Sequence, residues 1–600
     1  MKVRLRLSNP LNSKKILVAI LGIILVLLGV GSWYLLDSGG RSVLSYKSPY
    51  TFQTQPGFAS QPLAERLILV IVDGLESGSA ENMLAARDLA NRGAAVCLQG
   101  SRGLAPIPAS TVLMTGAFPE ISGVATNWFN TGVMVDSLWS SARRTGLNTM
   151  IVGDDKWRAL FGDVVTKGIY HKADGKLSNT EINDAILKDA IIEIKQGESR
   201  LMLVNFLPER SIAHSLRRTT RQDITREEAE ANIDMRLSDL LDAIDLGSSA
   251  IIVVLDRSHL TQNRLVEFPA NTGDAFLIAA GAGIVTPAET SEAIQWGSGR
   301  PVDIAPTCAS LIGIPIPFHS QGKVIFSMLD MPQHIRSEIA IRQTAQRRNF
   351  AIEYMSVLGR QANEDRSQMN AFLLHNDGRY QDAYEEAESI DERIISSLKK
   401  TRAGLVASSR LVSIPVLTVV AAVLICIIAM LTQGNLRKVL VSVIGVFCYF
   451  TAYYGLLLIR GTPLSSDAIL HPSELTGFYH GRIIDTAVSL AFTAIVIGWI
   501  ASGKKEDLRS RQGFISGLVS FGFIALALIA PIGAFVVAEG FNYNLYLPDM
   551  QKGFRCFMYL IQLMTAGILS PVLAGLSEGV VVMASKARPS SLEQHESLSE

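Results

Sequence analysis

The chain has 600 residues, with 55 Lys+Arg against 55 Asp+Glu, so its formal net charge is zero and a nucleic-acid partner is disfavoured. Charged residues make up 18%, below the roughly 25% of soluble domains, and mean hydropathy is +0.27, which together exclude a disordered or wholly soluble protein and point to membrane spans. Five cysteines in a chain of this length exclude a disulfide scaffold.

In chain order, residues 1–15 form a basic lead with Lys2, Arg4, Arg6, Lys14 and Lys15. The charge-free block Ile16 to Leu36 follows, long enough for one membrane span and too long for a cleaved signal. The basic lead predicts a cytoplasmic N-terminus. Residues 37–65, rich in Ser, Gly, Gln and Pro, read as a linker. From residue 66 to 330, apolar strand patterns alternate with helical ones. RLILVIVDGL (66–75), LMLVNFL (201–207) and AIIVVLD (250–256) are near-continuous apolar runs, as buried parallel strands require. The alternation predicts an α/β domain with a mostly parallel sheet flanked by helices. In such sheets ligand groups gather at the carboxyl ends of strands, so Asp73 and Asp256 are placed to converge.

Residues 331–410 carry charged helical patterns and read as a stalk. Five further spans are predicted within residues 411–583, before a tail at 584–600. The basic segments at Arg437–Lys438, Lys504–Arg511 and Lys586–Arg588 fall on one side under the positive-inside rule. That rule places both termini in the cytoplasm and residues 37–410 outside it, in a multi-pass protein of the cell membrane. Few ionisable groups are evident deep in the spans, with Glu578 the most conspicuous, so the bundle reads as an anchor or platform rather than a transporter.

Three segments, in order, resemble the alkaline phosphatase superfamily in its phosphodiesterase, sulfatase and phosphoethanolamine-transferase branches. They are LILVIVDGL (67–75), PIPASTVLMTGAFPEISGV (106–124) and DIAPTCASLIGIPIP (303–317). The resemblance covers about residues 66–330. It implies two divalent metals, often zinc, that activate a Thr, Ser or modified Cys nucleophile and stabilise charge on the transferred group. Position by position, Asp73 matches the first metal-binding Asp. The nucleophile position, nine residues before the Thr of Thr115-Gly116, is Pro106, which has no hydroxyl or thiol. A metal-binding D-x-x-G-H element matches Arg210 to His214, retaining His214 but replacing the Asp with Arg210. An S-D-H-G element matches Leu255 to Ser258, retaining Asp256 but replacing the His with Arg257.

The resemblance thus implies Asp73, His214 and Asp256 as metal ligands if a metal is bound, with Arg210 and Arg257 supplying cationic charge if it is not. Ser110 and Thr111 are weak alternatives for a shifted nucleophile. Asn127, Trp128 and His259 are cleft positions, and Glu209 could stand in for the missing Asp. The leading expectation is an extracytoplasmic alkaline-phosphatase-like domain, catalytically impaired, acting by binding or scaffolding in envelope or lipid metabolism with no cofactor. A second is an active phosphodiesterase or phosphotransferase that uses zinc or another divalent metal on a membrane-associated substrate. A third is a structural subunit of a membrane complex. The partners implied are the lipid bilayer, and another membrane protein or a lipid or phosphodiester ligand.

Overall fold

The computed structural model describes residues 10–50, 57, 59–75, 79–100, 105–129, 131–173, 176–209, 224–256, 275–287, 296–361, 368–462, 469, 472–502, 511–540 and 546–586. Helix α1 (Pro10–Leu44) contains the first apolar block and continues past it, because nothing in residues 37–44 breaks the helix. Eight strands follow: β1 (Arg66–Asp73), β2 (Gly93–Leu98), β3 (Thr149–Asp154), β4 (Lys167–His171), β5 (Leu201–Phe206), β6 (Ser249–Asp256), β7 (Ala275–Gly281) and β8 (Trp296–Gly299). They form one sheet in the order β4-β3-β5-β1-β6-β7-β2-β8. All pairings are parallel except those of β7 with β6 and with β2.

Helices fill the crossovers. Helices α2 (Ser79–Asn82) and α3 (Leu84–Asn91) follow β1, and α4 (Pro106–Thr115), α5 (Pro119–Ser122) and α6 (Leu138–Arg144) lie between β2 and β3. Helix α7 (Lys156–Phe161) follows β3, α8 (Asn179–Gln196) precedes β5, α9 (Arg226–Asp242) precedes β6 and α10 (Ile304–Leu311) follows β8. The apolar run of β1 is continuous because both faces of the sheet are covered. Leu67, Leu69 and Ile71 enter one core with Met114, Trp139 and Cys308. Ile68, Val70 and Val72 enter the other with Ile186 of α8 and Leu237 of α9. The outcome is a mostly parallel sheet between helical layers, the expected architecture.

The charged segment after the sheet folds as α11 (Gln333–Val357), α12 (Gln368–Asn376) and α13 (Tyr380–Thr432). Ile335, Ile339, Ala387 and Ile390 join the sheet core, so α11 and the first part of α13 pack on the domain. A fully buried pair, Arg347 with Asp391 at 3.0 Å, fastens the two helices. At 1.5 Å per residue, the 53 residues of α13 extend about 80 Å, from the domain into the apolar bundle. The bundle is completed by α14 (Leu436–Ile459), α15 (Pro472–Ala501), α16 (Gln512–Glu539) and α17 (Met550–Lys586). Among the described residues, six helices are long and apolar enough to cross a membrane: α1 and α13 to α17. Glu578 accepts the backbone N–H of Phe514 at 2.9 Å and so caps the N-terminal turn of α16. Helix α17 packs against α1, α15 and α16.

Glu120 of α5 ties domain, stalk and bundle together. Its side chain accepts from the Tyr354 hydroxyl at 2.9 Å and pairs with Arg402 of α13 at 2.8 Å, and Arg402 also donates to the Leu547 carbonyl at 2.9 Å. Burial raises the Glu120 carboxyl pKa above its ordinary value, with Arg402 and Tyr354 pulling the other way. A folded pKa above the unfolded one gives stability that is full below the unfolded value and is lost as pH rises through the folded one. The melting temperature of the native protein should therefore fall relative to Glu120→Gln as pH rises above the ordinary carboxylate range. A gap that stays constant through that rise counts against this account.

Candidate functional site

Strands β1 and β6 end side by side, with Asp73 in register with Asp256. The chain must turn sharply after Asp73 without leaving the sheet edge. Gly74 makes that turn at φ +82°, where a Cβ would lie 2.6 Å from Pro208, and its N–H donates to the Asp256 carbonyl at 2.8 Å. Both carboxylates are therefore presented at the carboxyl edge of the sheet, and both residues are buried, at 3% and 4% exposure.

A lysine occupies the space beside them. Strand β3 ends at Asp154, and α7 begins two residues later. Lys156, its first residue, places Nζ 2.7 Å from Asp73 Oδ2, with the ammonium side chain only 9% exposed. Burial works against the charged ammonium, but Asp73, Asp154 and Asp256 outweigh it and hold its pKa above the ordinary lysine value. Burial raises the pKa of Asp154, with Asp73 adding to the rise and Lys156 and the backbone at the start of α7 pulling the other way.

The surrounding side chains fix this arrangement. The Trp157 indole donates to Asn205 Oδ1 at 2.8 Å, and Asn205 Nδ2 donates to Asp73 Oδ2 at 3.3 Å. The ammonium also lies 5.6 Å from the centroid of the Trp157 ring, within cation–π range. Trp157 is core, as are Trp139 and Cys308, whose thiol burial pushes up to about 12. Cys308, Cys426, Cys448 and Cys556 are free thiols.

The positions singled out by motif fall in different places. Pro106 is the first residue of α4, where its missing N–H costs nothing. Ser110 and Thr111 are interior to that helix, at 1% and 0% exposure, and the Thr111 hydroxyl donates to the Ile107 carbonyl at 3.0 Å. Glu209 is held by Arg236 at 2.6 Å, Asn183 at 3.1 Å and Asn232 at 2.8 Å, which ties the end of β5 to α8 and α9. Asn127 accepts the Ile107 N–H at 3.1 Å and donates to the Ile469 carbonyl of the bundle at 3.4 Å. With Trp128 it lines a cavity of about 280 Å³ between domain and bundle, walled by Pro108, Leu36, Phe535 and Phe554. Arg210, His214, Arg257 and His259 lie outside the described residues.

The family resemblance implies a two-metal centre, of whose implied ligands Asp73 and Asp256 are described and His214 is not. Among the described residues, no three His, Cys, Asp or Glu side chains converge within ligating reach. A metal ion on Asp73 would also share that carboxylate with the Lys156 ammonium. Motif matching passed over Lys156 and Asp154. The available signal was positional: the D-D-K run stands at the end of an apolar strand, on the edge where ligand groups collect.

No family model matches the chain. It is 22% identical to the catalytic subunit of human GPI ethanolamine phosphate transferase 3 over 222 residues, which are 36% of this chain and 19% of that protein. It is 22% identical to GPI ethanolamine phosphate transferase 2 of Aspergillus fumigatus over 322 residues, 49% of this chain and 41% of that one. The chain thus spans well under half the length of these curated relatives. Similar solved structures include the alkaline phosphatase PafA, with 10% identity over 45% of this chain and 100% of that one at TM-score 0.35. Another is an alkaline phosphatase superfamily protein from Vibrio parahaemolyticus, with 14% identity over 50% of this chain and 79% of that one at TM-score 0.34.

Proposed function

We propose that this chain is a multi-pass membrane protein whose alkaline-phosphatase-like domain faces away from the cytoplasm and binds or scaffolds in envelope or lipid metabolism rather than transferring phosphate. The observation that carries this reading is the Lys156 ammonium lodged against Asp73 at 2.7 Å, where the resemblance calls for a metal. A permanent side-chain cation balances the carboxylates without offering the open coordination position that metal-assisted transfer needs. Proline at the nucleophile position supports the same reading. The apolar cavity against the bundle supports a lipid-type ligand.

The test uses the full chain purified in detergent. Elemental analysis should find zinc and manganese far below one per chain, and bis(p-nitrophenyl) phosphate should hydrolyse at the buffer rate. Stoichiometric metal, with hydrolysis abolished in Asp73→Ala, would overturn the proposal. The second reading, an active metal-dependent phosphotransferase, draws on the printed names of the relatives, which are ethanolamine phosphate transferases. It requires a trapped phospho-residue at Ser110 or Thr111, two hydroxyls buried in the interior of α4.

A further inference from the structure

The membrane bundle contains a charged cluster that neither the anchor reading nor the α/β domain uses. Helix α15 begins at Pro472, so Arg482 and Asp485 lie well inside a helix and face α14. Asp485 is fully buried and bridges two cations: Arg482 at 2.7 Å, and Arg460 at 3.1 Å just beyond the end of α14. Arg482 also donates to the Thr462 hydroxyl at 2.9 Å and lies 5.4 Å from the Phe478 ring centroid. Among the described residues, the buried Arg482–Asp485 pair is neutral, and half-exposed Arg460 adds one positive charge at its outer edge.

The neighbouring polar groups are satisfied differently. Thr486, Ser489 and Thr493 each donate to the carbonyl four residues earlier in their own helix. The Tyr449 hydroxyl donates to Gln562 at 2.9 Å. The Nε and Nη1 groups of Arg482, by contrast, are buried and make no close hydrogen bond among the described residues, although the Tyr453 hydroxyl lies near the guanidinium. The Arg460 side chain is 45% exposed and opens the cluster outward. Ile469, just past the cluster, accepts from Asn127 of the α/β domain, so the charges lie at the end of the bundle nearest that domain. At that end of the spans the bilayer presents phosphate groups.

We propose that Arg460 and Arg482, oriented by Asp485, bind a phosphate-bearing group at the domain-side end of the α14–α15 pair. A guanidinium matches a phosphate oxygen pair in shape and charge, and one such anion neutralises the cluster. The phosphate is that of a bilayer phospholipid or of a free phosphate ester. The inference does not depend on whether the α/β domain transfers phosphate.

The experiment takes the full chain in detergent and counts retained phospholipid per chain by native mass spectrometry. It also follows the melting temperature of delipidated protein against inorganic phosphate. The variants are Arg460→Gln, Arg460→Lys and Arg482→Gln; Arg460 is half-exposed, so its variants should fold even if Arg482→Gln does not. Retained phospholipid falling about tenfold or more in Arg460→Gln, with partial recovery in Arg460→Lys, supports the site with the lipid as source. Absence of retained lipid, with phosphate stabilising the native chain but not Arg460→Gln, supports it with a free phosphate as source. Retention and phosphate response identical in the native chain and Arg460→Gln would overturn it.

Discussion

Lys156→Met is expected to destabilise the α/β domain by up to about 3–5 kcal/mol, the cost of removing one partner of a buried ion pair. For a domain of this size the melting temperature should fall on the order of 10 °C. Met keeps most of the apolar stem, so the loss would report the ammonium and not its packing. Asp73 bears the consequence, because its side chain is 2% exposed and its Oδ2 takes the 2.7 Å contact. Asp154 and Asp256 add to the deficit through their attraction to the same ammonium. The double variant Lys156→Met/Asp73→Asn removes both charges of the 2.7 Å pair and should recover much of the loss. Thermal unfolding of the full chain in detergent checks both. A Lys156→Met protein melting within a degree of the native one would show that the carboxylates are balanced by something other than this lysine, and would remove the observation on which the binding role rests.

The α/β alternation is legible in the sequence for a physical reason. A parallel strand buried on both faces must be apolar at every position, and β1, β5 and β6 meet that demand from Leu67 to Val72, Leu201 to Val204 and Ala250 to Leu255. The strand-end rule likewise places Asp73 and Asp256 on one edge, and the register sets them side by side. Lys156 is illegible by motif because its partner, Asp73, is 83 residues away and its own surroundings read as an ordinary polar helix start before a core tryptophan. In the fold, the Trp157 hydrogen bond to Asn205 holds the start of α7 where the ammonium meets the carboxylate. The resemblance implies side-chain cations in the cleft at Arg210 and Arg257, both outside the described residues, and Lys156 adds one to them. The cation among the described residues comes from a third position, on a different crossover.

The charged cluster of the bundle is hidden for another reason. Hydropathy marks a span by its apolar centre, and α15 carries ten residues, Pro472 to Gly481, before the first of the paired charges. Sequence reading makes 460–482 a loop and 483–502 a span, which parts Arg482 from Asp485, although one helix runs through both. Arg482 and Asp485 stand three residues apart, so helical geometry puts them on one face, and that pairing is visible only once the helix is known to include them.

A second large effect is expected in the bundle, at Gly567→Leu. The first and last spans cross there with backbones in contact. A Cβ on Gly567 would lie 2.4 Å from the Leu25 carbonyl oxygen and 2.7 Å from the Gly29 Cα, and one on Gly29 would lie 2.8 Å from the Ile568 nitrogen. Backbone atoms cannot swing aside as a side-chain tip can, so α1 must separate from α17. Small residues at such crossings allow the close approach that drives association where no hydrophobic force between helices operates. Overpacking a core commonly costs about 1–3 kcal/mol, and a clash with backbone belongs at or above the top of that range. Gly579 supplies the control on the same helix, since a Cβ there meets nothing within 4 Å. In a helix, Gly to Ala gains up to about 1 kcal/mol in intrinsic preference. Gly579→Ala should therefore be neutral or stabilising, while Gly567→Ala loses stability and Gly567→Leu loses more. Equal melting temperatures for Gly567→Ala and Gly579→Ala in detergent would mean that α1 does not pack on α17 at this crossing. The anchor would then be a separate span, and the domain would be held to the bundle by α13 and the Asn127–Ile469 contact.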